Sequence, residues 1–294
     1  MERQIGILGA PSILGLRPTG VEEMPRALRQ KNLAARLGST DYGDVESLGY
    51  ERVRDGFTGA LNSRSVREYS IRLAGRVDSM LVDNVFPLVL GGDCSIVLGN
   101  LLALRRRGRY GLAYVDGHSD FYLPENSKTG EVAEMTLAVA VGLGPGILST
   151  FDGSKPLVRE EDVALFGYRD QDESIREGCR NVRESVSTSS LNYLKRKGIV
   201  TEANRVVERF SSSDLNGFWL HLDADVLNPE IMPAVDYILP DGFNYNELRE
   251  TLRTFLSSPK CVGMDVTIFN PRMDPSGEIA GEFSDCIVEG FENK

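Results

Sequence analysis

Six short apolar runs bounded by glycine or acidic residues recur along the chain and constrain its fold more than any other feature: IGILGA (5–10), FPLVLGG (86–92), GLAYVD (111–116), VALFGYR (163–169), GFWLHLD (217–223) and CVGMDV (261–266). Short runs that stay apolar at successive positions suit strands buried on both faces, as they are inside a parallel sheet. Between several of them lie segments of helical spacing, SIVLGNLLALRRR (95–107) and NYNELRETLRTFLSS (244–258), the second with Asn244 placed as an N-cap. Such alternation predicts an α/β fold with helices on both faces of the sheet. The chain carries no repeat, low-complexity tract or Pro/Gly/Ser linker, so residues 1–294 are expected to form a single domain. The polar stretch DQDESIREGCRNVRESVSTSS (170–190) reads as a loop or lid.

Charge and cysteine usage narrow the partners. Asp and Glu number 43 against 33 Lys and Arg, a net charge of −10, which repels phosphate backbones and anionic lipid. Nucleic acid and membrane are therefore not expected as partners, and the short basic run RRRGR (105–109) reads as a solvated helix end. No run approaches the roughly 18 apolar residues of a membrane span, and the opening MERQIGILGAPS lacks the basic region and cleavage site of a signal peptide. Cys94, Cys179, Cys261 and Cys286 form neither a CxxC pair nor a disulfide framework. A cytoplasmic protein is the expectation.

In open α/β sheets ligands bind beyond the carboxyl ends of the strands, and three runs end there in groups that can hold metal: GGDCS, YVDGHSDF and LHLDADVLNP. Asp116, His118 and Asp120 are spaced two apart, so continued extended backbone would aim all three to one side. Asp223 and Asp225 repeat the spacing. Carboxylates packed this closely repel one another unless a cation neutralises them. Four carboxylates and an imidazole exceed what one ion usually takes, which points to two divalent ions about 3.5–4 Å apart. Ligation rich in oxygen favours manganese or magnesium over structural zinc. His221, two residues before Asp223, reads as packing or as support behind a ligand.

At these residues the sequence resembles the ureohydrolase family of arginase, agmatinase and formiminoglutamase. GVEEMPRAL (20–28), GGDCS, DGHSD, GYRDQDE (167–173), DADVLNP and MDVTIFNP (264–271) are similar to the family's successive motifs over nearly the whole chain. The resemblance implies a three-layer α/β/α, arginase-like fold with a mostly parallel sheet of eight strands, and a homo-oligomer, trimeric or hexameric. It implies two Mn²⁺ ions held by Cys94, Asp116, His118, Asp120, Asp223 and Asp225. The expected reaction is cleavage of a linear C–N bond in a small guanidino, N-hydroxyguanidino or formimino compound by a hydroxide bridging the two ions, with Asp120 as the catalytic carboxylate that holds it. Tyr122, Thr129 and Asp172 fall at positions that contact substrate in the family.

Three departures qualify that expectation. Cys94 stands where the family has histidine, and a thiolate ligand is softer and more negative, which admits Fe²⁺ or Zn²⁺ beside Mn²⁺. Ile268 replaces the family's guanidinium-binding Glu, and Ala133 its proton-shuttling His. The acids near Ala133, Glu131 and Glu134, read as a solvated loop rather than as proton carriers. The pattern is similar to a branch with a Cys ligand that includes enzymes cleaving hydroxyguanidines, whose less basic substrates depend less on a Glu partner. A non-catalytic relative with a structural or regulatory site, and an amide hydrolase on the same scaffold, are the alternatives.

Overall fold

The computed structural model describes residues 4–292. Its strands are β1 (Ile5–Ala10), β2 (Thr40–Asp44), β3 (Phe86–Gly91), β4 (Tyr110–Val115), β5 (Val163–Phe166), β6 (Ser187–Ser189), β7 (Gly217–Asp223) and β8 (Cys261–Thr267). They form one sheet in the order β2-β1-β3-β8-β7-β4-β5-β6, and every neighbouring pair is parallel. All six apolar runs are strands of this sheet. The two strands without such a run, β2 and β6, lie at its edges, where one face or side stays wet and an apolar sequence is not required. The 170–190 stretch is accordingly not all loop: it contains the helix Gln171–Arg176 and closes on β6.

Alternating strand residues feed two apolar layers. On one face Leu88, Val115, Leu220, Leu222 and Met264 pack with residues of the helices Ile199–Ser212, Tyr245–Leu256 and Glu278–Phe291. On the other Val89, Leu112, Tyr114 and Trp219 pack with the helices Ser63–Val82 and Val97–Arg105. The result is the expected α/β/α sandwich. Asn244 caps its helix as anticipated: its Oδ1 accepts from Glu247 N at 2.9 Å, and Glu247 Oε2 accepts from Asn244 N at 2.9 Å, a reciprocal capping box. Among the described residues no helix is long and apolar enough to cross a membrane.

Candidate metal centre

The central strands β3, β8, β7 and β4 are adjacent, and the polar residues at their carboxyl ends meet in one cleft. Each group is set by a turn. After β3 the backbone of Gly92 runs against Ser12, so closely that a Cβ there would stand 1.8 Å from the Ser12 carbonyl oxygen. Only glycine fits, and Asp93 then pins the neighbouring loop, its carboxylate accepting from Ser12 Oγ at 2.8 Å, Gly15 N at 3.1 Å and Ser95 N at 2.9 Å. Cys94 follows at the start of the 3-10 turn Cys94–Ile96, buried, with Sγ donating to Asp223 Oδ2 at 2.8 Å.

The Asp-x-His-x-Asp residues converge by a turn rather than by the pleat of a strand, because β4 ends at Val115. Asp116 Oδ1 accepts from His118 N at 2.6 Å, and Asp120 has a positive φ of 48°, a conformation aspartate tolerates better than most residues. The Asp120 carbonyl accepts from Leu137 N and Ala138 N, while Tyr114 donates its hydroxyl proton to Asp120 Oδ2 at 2.5 Å. After β7, Asp223 Oδ1 caps the short turn Ala224–Val226 by accepting from Asp225 N at 2.7 Å. Asp225 in turn accepts from Gly117 N at 3.0 Å, and its other oxygen lies 2.7 Å from His118 Nδ1.

Two ligand groups result. Cys94, Asp116, His221 and Asp223 bring one donor atom each to within 4.8 Å of one another, as do Asp116, His118 and Asp225. They share Asp116, which suits a carboxylate between two ions. Asp120 belongs to neither group but lines the same cleft.

The electrostatics are those of a site that wants cations. Burial and the Asp225 charge push the Asp116 carboxyl up to about 6. Burial and Asp116 hold Asp120 well above the usual carboxylate range, and burial with Asp225 and Asp116 does the same to Asp223. Burial, then the charges of Asp223, Asp120 and Asp116, raise the Cys94 thiol well above its ordinary value. Burial disfavours a charged His118 ring, but Asp225 outweighs it and lifts the imidazole to about 10. For Asp225 itself burial is overcome by the facing His118, and its carboxyl is lowered. Metal-free, the centre holds protons where divalent cations would compensate the same charge. The donor set fits such ions: four buried carboxylates, a thiol and imidazole, with Asp116 Oδ2 and His221 Nε2 buried and lacking any hydrogen-bond partner.

The cleft encloses about 290 Å³ and is acidic, with Glu131, Glu134, Asp170, Glu173 and Glu177 on its walls against Lys128. Tyr122 and Thr129 also line it, Tyr122 donating to Glu177 Oε2 at 3.0 Å and Thr129 to Glu134 Oε1 at 2.8 Å. Asp172 lies exposed on the helix Gln171–Arg176, outside the lining, while its neighbours Asp170 and Glu173 are part of it. Ala133 and Ile268 both face the cleft. Glu131, read from sequence as solvated, is buried, with Tyr237 donating to its Oε2 at 2.7 Å. No local signal marks Tyr237, which is 106 residues away in sequence.

Comparison with known proteins places these observations among relatives. The model of the Arginase family matches residues 3–288. The arginase of Staphylococcus aureus (strain COL) is 29% identical over 286 residues, 95% of this chain and 93% of that protein. The arginase of Bacillus subtilis (strain 168) is also 29% identical, over 98% of each chain. The solved arginase from Bacillus caldovelox superposes with a TM-score of 0.90 at 27% identity, covering 100% of this chain and 99% of that one.

Proposed function

The chain belongs to the arginase family, and on that premise we propose that it is a two-metal hydrolase opening a linear C–N bond in a small guanidino-type compound, with N-hydroxyguanidines its preferred class. The observation that carries this reading is the convergence of Cys94, Asp116, His118, Asp120, Asp223 and Asp225 at one cleft, with the Asp116 Oδ2 atom buried and unmatched. Bound there, two divalent ions would supply Lewis acidity, lowering the pKa of a water toward about 7 and offsetting the negative charge that its attack brings to the reacting carbon. Mn²⁺ suits the carboxylates, and the Cys94 thiolate extends the set to Fe²⁺ or Zn²⁺.

The chain's own residues do the remaining work. Asp116, the buried carboxylate common to both ligand groups, would serve both ions, with Cys94 and Asp223 in one group and His118 and Asp225 in the other. Asp120, oriented by the Tyr114 hydroxyl, borders the cleft where it can accept a hydrogen bond from the attacking water and fix its direction. Ile268 offers an apolar wall to the reacting head group, so a fully cationic guanidinium finds no paired carboxylate on that strand, whereas a less basic N-hydroxyguanidine loses less. Thr129, Tyr122, Asp170 and Glu173 line the same cleft, and the two acids would suit an ammonium at the far end of the substrate. Asp172, exposed and outside the lining, would contact only a substrate that projects from the cleft. We also propose the trimeric or hexameric assembly that the resemblance implies.

Metal analysis of protein grown with Mn²⁺, coupled to a screen that scores urea, hydroxyurea, formamide and ammonia separately, tests the reading. Two ions per chain and hydroxyurea as the main product are expected; metal at trace level removes the proposal. Ala133 and Ile268 favour the rival reading of a non-catalytic relative, and turnover of any compound in the screen eliminates it.

A further inference from the structure

We infer that His221 is a metal ligand through Nε2, completing with Cys94, Asp116 and Asp223 the ion site that the thiol at position 94 would otherwise leave without an imidazole. His221 sits in β7 between Tyr114 of β4 and Asp265 of β8, its register partners on either side. It is 0% exposed, and its ring stacks on Tyr114 with centroids 4.1 Å apart, so neighbouring strands fix its plane.

Both ring nitrogens are accounted for by that placement. Nδ1 lies 2.6 Å from Asp265 Oδ2. Asp265 is itself fully buried, and its Oδ1 accepts from Trp219 Nε1 and, at 3.0 Å, from Asn100 Nδ2. A carboxylate held in this way by two other donors accepts a hydrogen bond from Nδ1–H, an arrangement that keeps the proton on Nδ1, leaves the Nε2 lone pair free and makes it the better ligand at metal-binding histidines. Nε2 has no hydrogen-bond partner, and it faces Asp116 Oδ2, which has none either, across 3.8 Å. That gap is too wide for a hydrogen bond, and a buried polar atom left unmatched costs about 1–3 kcal/mol. Two ligand atoms, each about 2.1 Å from a shared ion, stand apart by about this distance when the angle at the ion is near 120°. Cys94 Sγ and an Asp223 oxygen reach the same spot. A divalent cation there takes the place of a proton on Nε2, as it does at any imidazole ligand.

The consequence is a redistribution of donors. The chain has two histidines, and each serves one ion: His118 with Asp225, His221 with Cys94 and Asp223, and Asp116 between them. A neutral imidazole adds a bond without adding to the charge of four carboxylates and a thiolate. The strand that carries Asp223 thus supplies the nitrogen that the β3 turn lacks.

This inference rests on the two-ion reading, and its test separates the two. Calorimetric titration of the metal-free full chain with Mn²⁺ is compared between wild type and His221→Asn, which keeps an N–H near Asp265 and removes Nε2. One ion is expected to bind at least about tenfold more weakly, each titration being read below the melting temperature measured for that metal-free protein. A crystal structure of the Mn²⁺-loaded wild type provides the direct measure and does not depend on the variant folding. An Nε2 to ion distance of about 2.1–2.2 Å is expected. Two ions bound with Nε2 beyond about 3 Å of either, or His221→Asn binding both as wild type does, overturns the ligand role alone. No Mn²⁺ taken up by wild type overturns the two-ion reading with it.

Discussion

Cys94 donates to Asp223 at 2.8 Å while its thiol is pushed up by burial and three carboxylates, so this sulfur gives up its proton only when a cation takes its place. Cys94→Ser keeps the volume and removes the soft anion; metal analysis should show one ion depleted, while the metal-free melting temperature stays within a few degrees of wild type. Full occupancy of both sites would sink the ligand role of Cys94. The same charges fix a pH dependence for the metal-free protein. Asp116 is raised from 3.8 to about 6, and His118 and His221 from 6.5 to about 10, burial opposing both imidazoles and the facing carboxylates prevailing. The folded chain therefore binds more protons than the unfolded one across this range, and stability falls as pH rises through it. Chelator-treated protein should melt at progressively lower temperature from about pH 6.5 to about pH 10, and added Mn²⁺ should raise the melting temperature most at the alkaline end. A flat profile would mean that His118 and His221 do not hold their extra protons in the folded state. Ile268 is the other informative residue: a β-branched side chain at φ 71°, strained by about 1–3 kcal/mol and held by its N–H donating to Gly92 O at 2.9 Å. Ile268→Glu is expected to raise kcat/KM for a guanidine relative to its N-hydroxy analogue at least tenfold, or ~1.4 kcal/mol. An unchanged ratio would place the reacting head group elsewhere.

At the level of elements, the seam between β7 and β8 couples fold to site. A Cβ on Gly263 would meet the Trp219 ring at 2.0 Å, and Trp219 donates to Asp265, which holds His221. Gly263→Ala should therefore lower stability by about 1–3 kcal/mol and weaken Mn²⁺ uptake as well. Asn244→Ala removes the capping box on the helix Tyr245–Leu256, whose side-chain partner is Glu247 and no ligand, and should cost about 1 kcal/mol with metal uptake intact. Thermal melts paired with metal titration distinguish the two, and equal loss of metal in both would deny the seam its role. The same physics explains what the sequence disclosed. β1, β3, β4, β5, β7 and β8 are buried on both faces and so are written as apolar runs, whereas TDYGD of β2 and STS of β6 need only backbone pairing. The metal-capable residues were legible because strand ends concentrate polar groups. Their geometry was not: the spacing of Asp116, His118 and Asp120 suggests a pleat, and the chain makes an Asx-type turn with a left-handed residue instead. His221 was visible as a neighbour of Asp223, but its partner Asp265 comes from another strand, and only the register joins them.

For the whole molecule, net charge and cleft charge act in the same direction. The chain carries −10, and the cleft walls hold Glu131, Glu134, Asp170, Glu173 and Glu177 against Lys128. Two bound divalent ions would cancel most of the inner charge from the ligand carboxylates. Outside them, Lys128 is paired with Glu177, and Arg17 reaches Glu131 at 3.0 Å, so Glu134, Asp170 and Glu173 keep the mouth negative. A negative mouth on a negative molecule attracts cations over the Debye length, which shrinks from about 30 Å at 0.01 M salt to about 8 Å at 0.15 M. For a substrate whose tail ends in an ammonium, kcat/KM should fall severalfold across that range. For the same head group on a tail ending in a neutral amide it should change little, because neither steering nor the outer acids act on it. The comparison holds the chemistry at the metal centre constant, so a difference between the tails reports only on approach and outer binding. Equal salt dependence for both would show that the outer acids are neutralised within the protein and leave substrate choice to the walls around Ile268 and Tyr122.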